Sequence, residues 1–131
     1  MLSDKFAIIT GAARGIGAEV AQAFAQEGAH VALIDCNQEK LEQTAEEIKK
    51  CGCSCWPVVA DLKNKSELEK AAEAVFAYSP YWDILINNAG IVKRGLLVDF
   101  DADDWDQLLQ VNLRATFLLS RIVAKKMNLS H

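Results

Sequence analysis

Eight residues near the amino terminus, Thr10 to Gly17 (TGAARGIG), constrain this chain more than any other stretch. The apolar run Phe6 to Ile9 before them reads as a buried strand. After them, Ile16, Val20, Ala23 and Phe24 recur at the spacing of one helix face. Strand, glycine loop and helix, in that order, suit a phosphate group. The backbone must turn tightly and come close to a pyrophosphate, and a side chain would fill that space. The helix that follows turns its unpaired N–H groups and the positive end of its dipole toward the anion. Gly11, Gly15 and Gly17 follow TGxxxGxG, with a longer first gap than GxGxxG. Taken alone, the loop leaves an ordinary strand-to-helix turn open.

The rest of the chain continues the alternation. Gly28 suits the left-handed end of the first helix. Val31 to Ile34 is apolar without alternation, as in a parallel strand covered on both faces, and ends at Asp35. That acid lies 18 residues beyond Gly17, near the separation at which a dinucleotide fold places the carboxylate for the adenosine ribose hydroxyls. Gln38 to Lys50 carries Leu41, Ala45 and Ile48 at helical spacing. A third strand is expected over Trp56 to Ala60, ending at Asp61, and Ser66 with Glu69 forms a capping box for the next helix. Leu68, Ala71, Ala72 and Val75 make its apolar stripe, and Ser79-Pro80 ends it. A fourth strand, Asp83 to Asn88, runs into Ala89-Gly90. Its two amides can hold neighbouring backbone together, while the small Ala-Gly pair permits close approach to a ribose or nicotinamide. The last helix opens near Asp101 to Asp104. Trp105, Leu108, Leu109, Ala115, Leu119, Ile122 and Val123 trace its core-facing stripe, with Asn112 inside it. A polar residue on an apolar face requires a partner for its amide.

Three stretches together, TGAARGIG, NNAG (Asn87 to Gly90) and VNLRATFLLS, resemble the short-chain dehydrogenase/reductase family. The resemblance implies a Rossmann-like, doubly wound parallel α/β sheet with strand order 3-2-1-4, forming one domain over residues 1–131. It implies a nicotinamide cofactor held by Thr10, Gly11, Arg14, Gly15, Ile16, Gly17, Asp35, Asp61, Leu62, Asn88, Ala89 and Gly90, with Asp61 and Leu62 at the adenine ring. Asn112 corresponds to the family's catalytic Asn, which holds a water for the proton relay. Asp35 favours NAD over NADP, because a second phosphate would meet its carboxylate, whereas Arg14 favours NADP. The run IVKRGLLVDFDADDWDQLLQVNL is most similar to 3-oxoacyl-(acyl-carrier-protein) reductases, with a small carbonyl or alcohol as substrate. The family's Ser and YxxxK motif have no counterpart here, since neither Tyr78 nor Tyr81 has a Lys four residues later. The chain is therefore expected to hold the cofactor half of an enzyme and to lack turnover by itself. A non-catalytic nucleotide-binding or partner-binding paralogue is the alternative, and a small flavodoxin-like domain is a third reading.

Composition narrows the partners. A net charge of −4 gives no footprint for nucleic acid or an anionic membrane, and no apolar run reaches the length of a membrane span. A cytoplasmic location is expected, with no targeting segment before the first strand. Cys51, Cys53 and Cys55 are closely spaced, but His30 and His131 are both remote in sequence, so no metal site is expected. The broad apolar surface of the Asn112 helix points to a homo-oligomer formed through it.

Overall fold

Continuous apolar runs become strands covered on both sides. In the computed structural model, which describes residues 1–130, β1 (Phe6–Thr10) is buried from Ala7 onward and β2 (His30–Asp35) from Val31 to Ile34. β3 (Cys55–Val59) and β4 (Ile84–Ile86) complete a parallel sheet in the order β3-β2-β1-β4. The register aligns Thr10 with Ile34 and Asp35 with Val59, so the carboxyl ends of three strands form one rim. β3 is an edge strand and carries Pro57, whose missing N–H is tolerated there.

Alternate strand residues feed two cores. On one face, Ala7, Ile9, Val31 and Leu33 pack with α1 (Gly15–Gln26) and α2 (Gln38–Lys49). On the other, Ile8, Ala32, Ile34 and Val58 pack with α3 (Lys65–Tyr78) and the carboxyl-terminal helix. Trp82 is fully buried in this second core, and its indole N–H donates to the Ser79 carbonyl at 3.0 Å. The last helical region is interrupted: α4 (Ala102–Leu109) continues through a π-helical turn, Gln110–Arg114, into α5 (Ala115–Ser130). His131 lies outside the described residues.

Several expectations shift. α3 is capped by Asn64, whose side chain accepts from the Glu67 N–H, and not by Ser66 with Glu69. The cap thus lies two residues earlier than expected and differs from a reciprocal capping box: Glu67 accepts from the Asp61 N–H, while the Asn64 N–H donates to the Asp61 carbonyl. The third strand is Cys55–Val59: its partner β2 ends at Asp35, which pairs with Val59, and the bond from the Ala60 N–H to the Asp35 carbonyl is the last between them. β4 is short because Asp83 exchanges bonds with the Phe6 backbone at one end, and Asn87 and Asn88 turn to other partners at the other. The buried line of α1 is Gly17, Ala21 and Ala25, while Ile16 is exposed, since only small residues allow the helix to lie this close to the sheet. In the last helix the π turn breaks the expected stripe. Ala115, Leu119 and Val123 are buried, but Trp105 and Leu109 face outward. One extra residue in a turn rotates everything before it relative to everything after.

Candidate functional site

At the carboxyl rim of the sheet lies a cleft of about 780 Å³. The ends of the four strands and the segments after them line it: Gly11, Arg14 and Gly15 after β1; Asp35 at the end of β2 and Cys36 after it; Ala60 to Lys63 after β3; Asn88 to Lys93 after β4. Gln107 and Val111 close it from the last helical region. Strand order reverses at β1, and the crevice beyond the strand ends at such a point is where open α/β sheets bind ligands.

The glycine loop is built by hydrogen bonds from three directions. The Gly11 N–H donates to the Ile34 carbonyl at 2.8 Å. Asp35 accepts from the Ala13 N–H at 3.1 Å with one oxygen and from the Asn37 N–H at 3.0 Å with the other. A carboxylate has about four acceptor positions, so Asp35 keeps capacity for a ligand. Thr44, buried in α2, donates its hydroxyl to the Ala13 carbonyl at 3.1 Å. Thr44 went unread in the sequence, although a polar residue inside the Leu41, Ala45, Ile48 stripe is the same signal that singled out Asn112.

The loop then releases α1 without a side-chain cap. Its N-cap is Arg14, and no acidic residue occupies its first turn. By contrast Asn37, Asn64 and Asp101 cap α2, α3 and α4 through their own side chains. The first N–H groups of α1 and the positive end of its dipole are thus open to an anion. Gly15, at φ +58°, would direct a Cβ into open space, whereas a Cβ on Gly17 would meet the Gly11 carbonyl oxygen and the Asn88 amide. Gly17 therefore serves the contact between α1 and the loop, and Gly15 borders the cleft.

Thr10 is 1% exposed and outside the lining. Its hydroxyl accepts from the Asn88 and Ala89 N–H groups at 3.0 and 2.9 Å, latching the end of β4 to β1. The Asn88 side chain donates to the Gly11 carbonyl at 3.2 Å, which closes this latch onto the glycine loop. Asn87, expected with Asn88 to hold neighbouring backbone, instead donates its side-chain amide to the Ser120 hydroxyl on α5 at 3.0 Å. Asn112, in the π turn, holds residue 91 at both ends: Oδ1 accepts from the Ile91 N–H at 2.8 Å and Nδ2 donates to the Ile91 carbonyl at 2.9 Å. Asp61 and Leu62 both line the cleft, with Asp61 accepting from the Lys63 N–H. Ile16 and Asn112 do not line it. Cys36, incidental by the sequence reading, also lines the cleft beside Asp35; burial, then the charges of Asp35 and Asp61, push its thiol pKa up. Among the described residues no group of three or more His, Cys, Asp or Glu could hold a metal ion.

With this geometry in view, the family model described as short chain dehydrogenase matches residues 5–131. The chain belongs to that family. D-threitol dehydrogenase of Mycolicibacterium smegmatis is 36% identical over 126 residues, covering 96% of this chain and 48% of that protein. The 3-oxoacyl-(acyl-carrier-protein) reductase of Thermotoga maritima is 35% identical over 126 residues, covering 96% and 51% respectively. Among solved structures, a metagenomic short-chain oxidoreductase in complex with NADP superimposes with a TM-score of 0.91 at 36% identity, covering 95% of this chain and 57% of that one. The chain thus spans about half the length of the curated relatives it matches. The 3-2-1-4 parallel sheet is the Rossmann-like arrangement of these structures.

Proposed function

We propose that residues 1–131 form the cofactor-binding part of a short-chain dehydrogenase/reductase subunit, an oxidoreductase that moves hydride between a nicotinamide dinucleotide and a carbonyl or alcohol carbon. The observation that carries this reading is the uncapped N-terminus of α1 and the Asp35 carboxylate on one cleft. The residues fit such a ligand: Gly15 leaves open space, Arg14 brings a cation, Asp35 retains acceptor positions, and Asp61 with Leu62 lines the far end. The pyrophosphate would lie over Gly11, Arg14, Gly15 and the Ile16 and Gly17 amides, the adenosine ribose at Asp35, and the nicotinamide side against Asn88, Ala89 and Gly90. Thr10 and Asn112 act one step back, by fixing β4 and residue 91. When bound, the dinucleotide supplies or accepts the hydride.

Asp35 supports NAD over NADP. A unit negative charge 4 Å from another costs about 4 kcal/mol at an effective dielectric of 20. A charge-assisted bond from Arg14 returns about 1.5–3 kcal/mol. Calorimetric titration with NADH and NADPH tests both levels: binding of neither removes the cofactor reading, and tighter binding of NADPH reverses the preference.

Substrate chemistry needs a proton donor, and among the described residues no tyrosine lines the cleft. Tyr78 instead stacks on Trp56 with ring centroids 5.2 Å apart. This favours a chain that binds cofactor without turnover by itself, and keeps a nucleotide-binding paralogue as the second reading. A 3-oxoacyl thioester is the proposed substrate class, supported by likeness to the Thermotoga reductase. The site would operate in the cytoplasm, where the four free thiols stay reduced. Among the described residues no helix is long and apolar enough to cross a membrane. Two copies would pair through the outer face of α4, the π turn and α5.

A further inference from the structure

Residue 13 is gripped from both sides, and the two grips differ in kind. Its N–H is held by Asp35, which also faces the cleft. Its carbonyl is held by Thr44, which does not line the cleft and is 8% exposed in the middle of α2. A Thr hydroxyl within a helix ordinarily bonds back to its own helix four residues earlier. Here it reaches across 31 residues of sequence to the glycine loop.

The peptide unit joining Ala13 to Arg14 is trans and planar, so its carbonyl and the Arg14 N–H point in opposite directions. Drawing the carbonyl toward α2 turns the Arg14 N–H away from α2. Among the described residues no hydrogen bond is made by that N–H. Arg14 is also the N-cap of α1, in an extended conformation at φ −158° and ψ 173°, and the next residue is Gly15 at φ +58°. Two glycines of positive φ flank the segment, at 11 and 15, so the chain between them has little of its own to fix its tilt.

We propose that Thr44 is a positioning residue for the dinucleotide: through the Ala13 carbonyl it sets the tilt of the 13–14 peptide and thereby aims the Arg14 N–H and the start of α1 at the bound phosphates. The inference rests on the cofactor reading above, and its test separates the two. NADH is titrated into the protein and into Thr44→Val, Thr44→Ser and Ile48→Val, and each variant's melting temperature is recorded. Val keeps the volume and removes the hydroxyl; Ser keeps the hydroxyl and removes a methyl. Ile48→Val removes a methylene from the same buried face of α2 and leaves the Thr44 hydroxyl in place.

The expected result is that affinity follows the hydroxyl. Thr44→Val weakens NADH about fivefold or more, the effect of one lost hydrogen bond, and Thr44→Ser and Ile48→Val stay within about twofold of the parent whatever their melting temperatures. In the ligand-free protein the Ala13 amide exchanges with solvent faster in Thr44→Val than in Ile48→Val. Parent-like affinity in Thr44→Val overturns the inference while leaving the cofactor reading intact, as does a loss in Ile48→Val equal to that in Thr44→Val. A parent protein that binds no NADH overturns both.

Discussion

Gly15 and Gly17 sit two residues apart and answer to different constraints. A Cβ at Gly15 meets nothing within 4 Å, so alanine there costs only the left-handed backbone conformation, about 1–2 kcal/mol. A Cβ at Gly17 would clash with the Gly11 carbonyl oxygen, a backbone atom held in place by the bond from the Gly11 N–H to the Ile34 carbonyl. Overpacking of that kind costs about 1–3 kcal/mol and at times more, and a clash this close belongs at the upper end. Urea unfolding should therefore show Gly17→Ala losing more stability than Gly15→Ala, while Gly15→Val abolishes NADH binding in a protein that still folds. Equal losses for the two alanine variants would mean that α1 can slide away from the loop. Cys55 carries a pH signature. Burial pushes its thiol pKa up to about 12 from an ordinary 9.0. Between those values the unfolded chain gives up the thiol proton and the folded one keeps it, so stability falls as pH rises, by at most about 1.4 kcal/mol per pH unit. Below pH 9 the contribution is flat. Unfolding measured at pH 8 and pH 10 should show a steeper loss for the parent than for Cys55→Ala.

Between elements, short polar latches add to the strands' own pairing. β4 has only three residues, and its carboxyl end is held by Thr10, which accepts two backbone N–H bonds at once. Thr10→Val has nearly the same shape and cannot accept either, so it should destabilise the fold by about 1–3 kcal/mol in chemical unfolding. Asn112→Ala frees residue 91 at both ends and should speed tryptic cleavage after Lys93 and Arg94 with a smaller change in melting. Unchanged digestion would show that the 91–100 segment is held by other contacts. What could be read from sequence follows the range of the forces involved. The first two strands, the glycine loop and Asp35 are local patterns of burial and spacing and stand where expected, whereas the order 3-2-1-4 is implied by the family resemblance and the third and fourth strands shift in their bounds. Thr44 and Asn87 have partners 31 and 33 residues away, which no window of periodicity contains. The π turn escaped because the last helix was read at a constant 3.6 residues per turn, and a single inserted residue moved Trp105 and Leu109 from the expected core to the surface. At α3 two adjacent pairs offer suitable residue types for one cap, Asn64 with Glu67 and Ser66 with Glu69, and the bonds Glu67 makes, its N–H donating to the Asn64 side chain and its carboxylate accepting from the Asp61 N–H, separate them.

That displacement has a consequence for the whole molecule. Trp105, Leu109, Leu113 and Phe117 are 54%, 39%, 64% and 60% exposed and recur every four residues along α4, the π turn and α5. Asp106, Gln110 and Arg114 line the same shallow apolar surface, and the Arg121 guanidinium lies 5.4 Å from the centre of the Phe117 ring. Among the described residues Asp106 and Arg121 make no salt bridge. A twofold pairing with the helices antiparallel and crossing at Leu113 matches this surface to itself. Leu113 would meet its own copy, Leu109 would meet Phe117, and Arg121 would come beside Trp105 and Asp106 of the other protomer. Aromatic and arginine side chains are enriched at such contacts, and an apolar patch of this extent is seldom left in water. Sedimentation should find the parent protein as a dimer at micromolar concentration and Leu113→Glu as a monomer, because the substitution places two carboxylates against each other on the axis. Arg121→Glu should weaken pairing, and combining it with Asp106→Arg should restore much of the loss, a rescue that removal of apolar area alone would not produce. A parent protein that sediments as a monomer, or a Leu113→Glu variant that remains a dimer, would place the contact elsewhere.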